Sequence, residues 1–227
     1  MDLSVKKLFD AIATDYDLQR KQLIPCFEEF YGVALSLVES NSISPKILDL
    51  GAGTGLFSSM VYQKYPNSCF TLVDLSEKML EGARKRFSGF DQVDNIQFVV
   101  ADYSNLTFSQ SYDIVISSLS IHHLTHAAKK QLFSTVYQIL SDGGIFVNAD
   151  QVEGNNTYTD NYFKSRWLEH ISESGLTKES IDASVERRKL DINAKLNDQV
   201  KWMEETGFKD VDCMYKYFDF GVFFGRK

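Results

Sequence analysis

The stretch Ile47-Leu48-Asp49-Leu50-Gly51-Ala52-Gly53-Thr54-Gly55-Leu56 decides the fold. Its first four residues form an apolar run of strand length. Three glycines follow, spaced by Ala52 and Thr54, and Leu56 opens a segment, 56–65, whose apolar positions recur every three or four residues. That is a strand, a glycine-rich turn and the start of a helix. Glycine permits positive φ and lets a ligand approach the backbone without interference from Cβ, and the helix start offers unpaired N–H groups to an anion. Asp74 closes the next apolar run, 19 residues after Gly55, where an acidic side chain can accept hydrogen bonds from ribose hydroxyls. Together these features describe an adenosine-containing ligand at the carboxyl edge of a parallel sheet. A tight structural turn with a solvent-facing Asp74 is the plainer alternative.

Working outward, short apolar runs alternate with helical segments. Residues 47–50, 69–73, 96–100, 113–117 and 145–148 read as strands, and 56–65, 77–87 and 127–140 as helices. Ser76 and Thr125 are expected N-caps, and Ser141-Asp142-Gly143-Gly144 reads as a stop and turn. Before the first strand, Val5, Leu8, Phe9, Ile12 and Tyr16 are spaced as one amphipathic helix. Phe27, Phe30, Tyr31, Ala34, Leu35 and Val38 are spaced as a second, after Pro25. After Asp150 the alternation stops, and 158–203 reads as helical, with Thr177 as an N-cap and Gly207 as a C-terminal glycine. Two strands broken near Asp219-Phe220-Gly221 end the chain.

The expected fold is therefore α/β: a Rossmann-like, doubly wound, mostly parallel seven-stranded sheet with helices on both faces. Its parts are an N-terminal helical lid (1–43), a nucleotide-binding core (44–150), a helical substrate cover (151–206) inserted after the fifth strand, and two closing strands (207–227), in one domain overall.

The chain has 227 residues, 44% hydrophobic and 24% charged, with 31 Asp+Glu against 24 Lys+Arg for a formal charge of −7. The mixture supports a large core and excludes disorder, and the acidity argues against a non-specific nucleic-acid binder. Residues 1–150 carry 17 acidic and 12 basic side chains, and 151–227 carry 14 and 12, so a nucleic acid touching the cover alone stays open. The first residues read as neither a secretory nor a transit peptide, and no run is long enough for a membrane helix. Cys26, Cys69 and Cys213 are scattered and fit neither a disulfide framework nor a zinc site, which points to a cytoplasmic protein.

A dinucleotide fingerprint places its third glycine where Leu56 stands. The pattern D-x-G-x-G-x-G instead resembles motif I of the class I S-adenosylmethionine-dependent methyltransferases. The similarity continues through Val73-Asp74-Leu75-Ser76, Ala101-Asp102-Tyr103, Tyr112-Asp113-Ile114-Val115, Ser120-Ile121-His122-His123-Leu124 and Leu140-Ser141-Asp142-Gly143-Gly144, about residues 44–150. Asp142 stands where many relatives carry proline. The resemblance implies S-adenosylmethionine as cofactor and S-adenosylhomocysteine as product. It sets Gly51, Gly53 and Gly55 against the methionine portion, Asp74 against the ribose, Asp102 against the adenine amine, and Leu75 and Tyr103 on the purine faces. Asp49, Ala52, Met79 and Ser118 complete the implied cofactor set. A loop-capping Asp102 and a Tyr103 of the ordinary core are the alternatives.

Tyr16 and Arg20 lie one helical turn apart, with Tyr31 following. In similar methyltransferases such a segment folds over the cofactor, and Arg20 could grip the methionine carboxylate; otherwise Arg20 is a solvated residue of an amphipathic helix. His122 and His123, being adjacent, share no helix or strand face, and no acidic partner or third ligand stands at a recognisable spacing, so no metal is expected. His122 is a candidate proton acceptor, and His123, Tyr31, Arg187 and Arg188 are candidate acceptor-binding residues. Glu186-Arg187-Arg188-Lys189 is also the one cluster comparable to the arginine of a similar subfamily that uses carboxy-S-adenosylmethionine to modify transfer RNA; a solvated basic turn is the alternative.

The leading expectation is methyl transfer to a small molecule. Carboxymethyl transfer to transfer RNA, or nucleotide binding without chemistry, are the competing ones. The aromatics Tyr162, Phe163 and Trp167 suggest a homodimer formed through the cover.

Overall fold

The computed structural model describes residues 16–91 and 93–227. Seven strands form one sheet in the order β3-β2-β1-β4-β5-β7-β6. These are β1 (Lys46–Leu50), β2 (Cys69–Asp74), β3 (Ile96–Val100), β4 (Tyr112–Ser118), β5 (Leu140–Gln151), β6 (Lys209–Tyr217) and β7 (Phe220–Arg226). The pairs among β1 to β5 are parallel, and β7 joins β5 and β6 antiparallel. The expected seven-stranded, mostly parallel sheet is present.

Successive strand residues face opposite sides, so a strand buried on both faces must be apolar throughout. Ile47, Ile114, Ile116, Ile145, Val147, Val222 and Phe224 belong to one core. Their strand neighbours Leu48, Leu50, Val115, Phe146 and Phe223 belong to the other. Helices α2 (Phe27–Leu37), α3 (Leu56–Lys64) and α4 (Glu77–Phe87) cover the first face through Phe30, Phe57 and Phe87. Helices α5 (His126–Ile139) and α8 (Leu196–Thr206) cover the second through Phe133, Trp202 and Met203. Ser76 and Thr125 cap α4 and α5 by accepting from the backbone N–H of Met79 and Ala128.

The sequence Ser141-Asp142-Gly143-Gly144 is not the free turn its composition suggests. It ends α5 but lies within β5, where pairing passes from Tyr112↔Leu140 directly to Ile114↔Ile145. Gly143, at φ +75°, donates to Lys227 O, so the last residue of the chain secures the excess residues as a bulge.

The cover consists of α6 (Thr157–Glu173), α7 (Lys178–Arg188) and α8, with Thr177 capping α7 and Gly207 ending α8 at φ +115°. The first expected helix, over Val5 to Tyr16, lies outside the described residues, as does the Tyr16 side chain. The described chain opens with α1 (Tyr16–Leu23). This helix bridges two parts of the molecule. Asp17 accepts from Thr54 Oγ1 at 2.6 Å and pairs with Arg86, while Gln22 Nε2 donates to Ser174 O and Trp167 Nε1 to Leu23 O. Trp167 is thus buried within the chain, which removes it from the expected dimer surface; Tyr162 stays exposed.

Candidate active site

In this strand order, connections on the two sides of the β1–β4 junction leave toward opposite faces, which opens a crevice at the carboxyl edge. The loops after β1 and β4 border that crevice, and they carry the glycine turn and the two histidines.

Gly51, Gly53 and Gly55 have φ of +72°, +55° and +72°. A Cβ on Gly51 would lie 1.8 Å from Ser120 Oγ, and one on Gly53 3.3 Å from Met79 Cε. The turn is closed from β2. Val73 O accepts from the N–H of Gly51 and Ala52, and Asp74 accepts from Gly53 N and Ser76 N, both at 2.8 Å. Leu75, half-buried, continues the same edge. Asp49 is 1% exposed; its Oδ2 accepts from Ser58 Oγ at 2.6 Å, and its Oδ1 has no hydrogen-bond partner among the described residues. Burial pushes this carboxyl up to about 7.

Tyr103 takes the plainer of its two expected places, and Asp102 is engaged within its own turn. Asp102 caps its own turn, accepting from Ser104 N at 3.0 Å, Ser104 Oγ at 2.6 Å and Asn105 Nδ2 at 3.0 Å. Tyr103 is buried in the second core, its hydroxyl 2.9 Å from Ser120 Oγ and its ring beside Gly51. The ring supports the glycine turn, where a purine-stacking face was expected. Aromatic rings serve in cores and on bases alike, so the residue type alone could not separate the two.

Arg20 is 6% exposed, which overturns the solvated-helix alternative. One guanidinium nitrogen donates to Ser118 Oγ at 3.4 Å, and the group lies 5.7 Å from the Tyr31 ring. The Tyr31 hydroxyl meets the same Ser118 Oγ at 2.8 Å. A helix before the sheet and the last residue of β4 thus converge, although 98 residues separate Arg20 from Ser118.

The histidines do have acidic partners. His122, 4% exposed in a short 3-10 turn, meets Asp150 Oδ1 through Nδ1 at 2.5 Å, and its backbone N–H donates to Asp150 Oδ2 at 2.9 Å. His122 Nε2 and His123 Nδ1 each lie 3.4 Å from Asp191 Oδ1. Burial opposes charge on His122, but the two carboxylates outweigh it and raise the imidazole to about 9. For His123 burial and the neighbouring His122 charge prevail, and it falls to about 3. Lys129, 1% exposed, donates to the carbonyls of His122, Leu124 and Ile192, which joins the turn to the segment bearing Asp191.

Arg188 is no solvated basic turn. It pairs with Asp219, donates to Gln151 Oε1 and lies 4.2 Å over the Trp167 ring. Arg187 donates to Ser184 Oγ at 2.7 Å. Arg20, His122, His123, Arg187, Arg188 and Asp191 line one small cavity of about 90 Å³. A larger cavity of about 580 Å³ adjoins it, sharing Trp167, Arg188 and Asp191.

Asp150, Asp191, Lys129 and Asp17 escaped sequence reasoning. Asp150 carried a signal, its place at the carboxyl end of a strand beside the crevice. Asp191 carried none, because its partners come from a loop far away in the chain.

Residues 47–144 match the family described as Methyltransferase domain. The chain is 25% identical to the carboxy-S-adenosyl-L-methionine synthase of Helicobacter hepaticus, over 100% of this chain and 97% of that protein. It is 32% identical to malonyl-acyl-carrier-protein O-methyltransferase 1 of Ilyobacter polytropus over 112 residues, 49% of this chain and 39% of that protein. The solved DhpI-SAM-HEP complex superposes with a TM-score of 0.66 at 17% identity, covering 96% of this chain and 94% of that one, a likeness of fold.

Proposed function

We propose that the chain, whose residues 47–144 match a methyltransferase-domain family, is an S-adenosylmethionine-dependent enzyme that transfers a methyl group to a small-molecule acceptor seated in the cleft between α1, the His122–His123 turn and the cover. The observation that carries this reading is the buried Arg20. Its guanidinium reaches Ser118 at the end of β4 on one side and lines the His122–Arg188 cavity on the other, so it stands where cofactor and acceptor would meet.

The residues fit the cofactor in one respect: Asp49 Oδ1, buried and without a hydrogen-bond partner among the described residues, is an acceptor suited to a cation. S-adenosylmethionine supplies, when bound, a methyl group on a sulfonium whose departure leaves a neutral thioether. Asp49, Gly51, Ala52, Gly53, Gly55 and Met79 would hold the methionine end, with Arg20 and Ser118 on its carboxylate. Asp74 and Leu75 would hold the ribose and one purine face. Asp74 already accepts from Gly53 N and Ser76 N at the end of β2, which holds its carboxylate at the crevice edge where ribose hydroxyls would approach; Asp102 would face the adenine amine.

The small cavity, about 90 Å³, admits the reacting end of a small molecule, while the larger adjoining space suits the rest of the acceptor. Burial by α1 and the cover would exclude water and align the reactants, the main task in an in-line displacement.

A second reading is favoured by one observation. The alignment with the carboxy-S-adenosyl-L-methionine synthase runs through the cover as well as the core, whereas that with the O-methyltransferase covers about half of the chain. Under that reading S-adenosylmethionine is itself the molecule modified. Calorimetric titration with S-adenosylmethionine, S-adenosylhomocysteine and NAD, followed by mass spectrometry of the nucleoside after incubation with candidate acceptors, separates the cases. Release of S-adenosylhomocysteine with a methylated acceptor supports the first reading. With a small carboxylate that can lose carbon dioxide included as donor, a nucleoside heavier by carbon dioxide, its methyl carbon having exchanged a proton for the carboxylate, supports the second, and NAD binding without response to S-adenosylmethionine overturns both.

A further inference from the structure

We infer that His122, His123 and Asp191 form a binding site for a divalent transition-metal ion of the zinc class, open on one side to the acceptor cleft. In a tetrahedral site with bonds of 2.0–2.1 Å, neighbouring donor atoms stand about 3.3 Å apart. His122 Nε2 and His123 Nδ1 each lie 3.4 Å from Asp191 Oδ1, and the three donors fall within 4.8 Å of one another. A separation of 3.4 Å is long for a charged hydrogen bond and matches two edges of such a tetrahedron.

The surroundings agree. Metal-ligating histidines usually donate their other ring N–H to a carboxylate, which orients the ring and leaves the remaining nitrogen to the metal. Asp150 does this for His122, taking Nδ1–H at 2.5 Å while also holding the residue's backbone N–H. On binding, the ion takes the place of a proton at His122 Nε2, and the proton goes to solvent. Asp191 Oδ2 is buried without a hydrogen-bond partner among the described residues and faces Arg188 Nε at 4.0 Å, which leaves Oδ1 turned to the two histidines. The charges of Asp150 and Asp191 together match a divalent ion. Of the nearby cations, Arg188 is held closely by Asp219 and the Trp167 ring and only approaches Asp191 Oδ2 at 4.0 Å, and Lys129 is held by three carbonyls.

Two imidazoles and one carboxylate suit zinc, cobalt, nickel or iron, whereas magnesium and calcium prefer an all-oxygen set. Three protein ligands leave a fourth position, and because all three line the small cavity, that position faces an oxygen atom of water or of the acceptor. The inference concerns binding alone and does not require the proposed acceptor.

The test uses the full chain, tag-free and freed of metal by a chelator. Titration with Co²⁺ should give visible absorption of tetrahedral intensity saturating at one equivalent, and Zn²⁺ should abolish it by competition. Asp191→Asn and His123→Ala should each weaken Co²⁺ binding at least tenfold, and Asp150→Asn by about 10–100-fold, because His122 would lose the carboxylate that orients its ring, with circular dichroism unchanged. Should one variant fail to fold, the others carry the comparison. Absence of the Co²⁺ bands at millimolar metal, or binding that is equal in the wild type and in every folded variant, overturns the inference.

Discussion

Replacing Asp49 by Asn should make the nucleotide-free protein less dependent on pH while weakening its hold on the cofactor. The Asp49 carboxyl ordinarily titrates near 3.8, and burial pushes it up to about 7. Its native pKa is thus the higher one. Below 3.8 both states are protonated, and as pH rises the unfolded chain gives up its proton first. The folded state is penalised progressively until pH passes 7, where the penalty levels off near ~4 kcal/mol. Between pH 5 and pH 8 the part due to this one group is ~3 kcal/mol. Asn cannot ionise, so that part disappears. Its carbonyl can still accept from Ser58, but its amide hydrogens inherit the partnerless place of Oδ1, at a cost of ~1–3 kcal/mol independent of pH. The variant should therefore be equal or less stable at pH 5 and equal or more stable at pH 8. Relative to wild type, its unfolding free energy should rise by ~3 kcal/mol across the interval. Urea denaturation at both pH values, with matched m-values, measures this difference, and other titrating groups cancel in it. Cofactor affinity at pH 8 should fall, since the cation loses an ionised partner. Parallel pH profiles for the two proteins would refute the assignment of a buried, cofactor-facing carboxylate.

Three further outcomes are expected. Gly51→Ala forces a Cβ against Ser120 Oγ at a positive φ, and should cost more than ~3 kcal/mol of stability in urea denaturation, beyond the 1–3 kcal/mol of backbone strain alone. Asp17→Ala removes the contacts from α1 to Thr54 and Arg86; it should change global stability by less than ~1 kcal/mol yet speed amide exchange over residues 16–23 and weaken S-adenosylmethionine binding several-fold in calorimetry. His122, raised to about 9 by Asp150 and Asp191 against the effect of burial, contributes stability that is fully present below pH 6.5 and lost as pH rises through 9. Asp150→Asn should shrink that alkaline loss, with imidazole resonances in nuclear magnetic resonance reporting a lower His122 pKa.

Much of this architecture was legible because it depends on local rules. Strands buried on both faces had to be continuous apolar runs, so β1 to β4 appear within a residue or so of their expected bounds. The hydroxyls of Ser76, Thr125 and Thr177 had to cap the helices that follow them. Only the turn after α5 misled, because Gly143 and Gly144 carry the same signal in a bulge as in a free turn, and it is Lys227, at the far end of the chain, that selects the bulge.

By itself, the order of residues determined the α/β class, the glycine turn between β1 and α3 and the place of Asp74 at the end of β2, since all of these rest on spacing within a few tens of residues. Only the tertiary structure decided that Arg20 is buried on Ser118, that Tyr103 props the turn, and that His122 and His123 meet Asp150 and Asp191. The reason is physical. A buried charge is tolerated only beside a partner, and that partner is supplied by whichever segment the packing of the two cores brings alongside, with no trace of the pairing in local sequence.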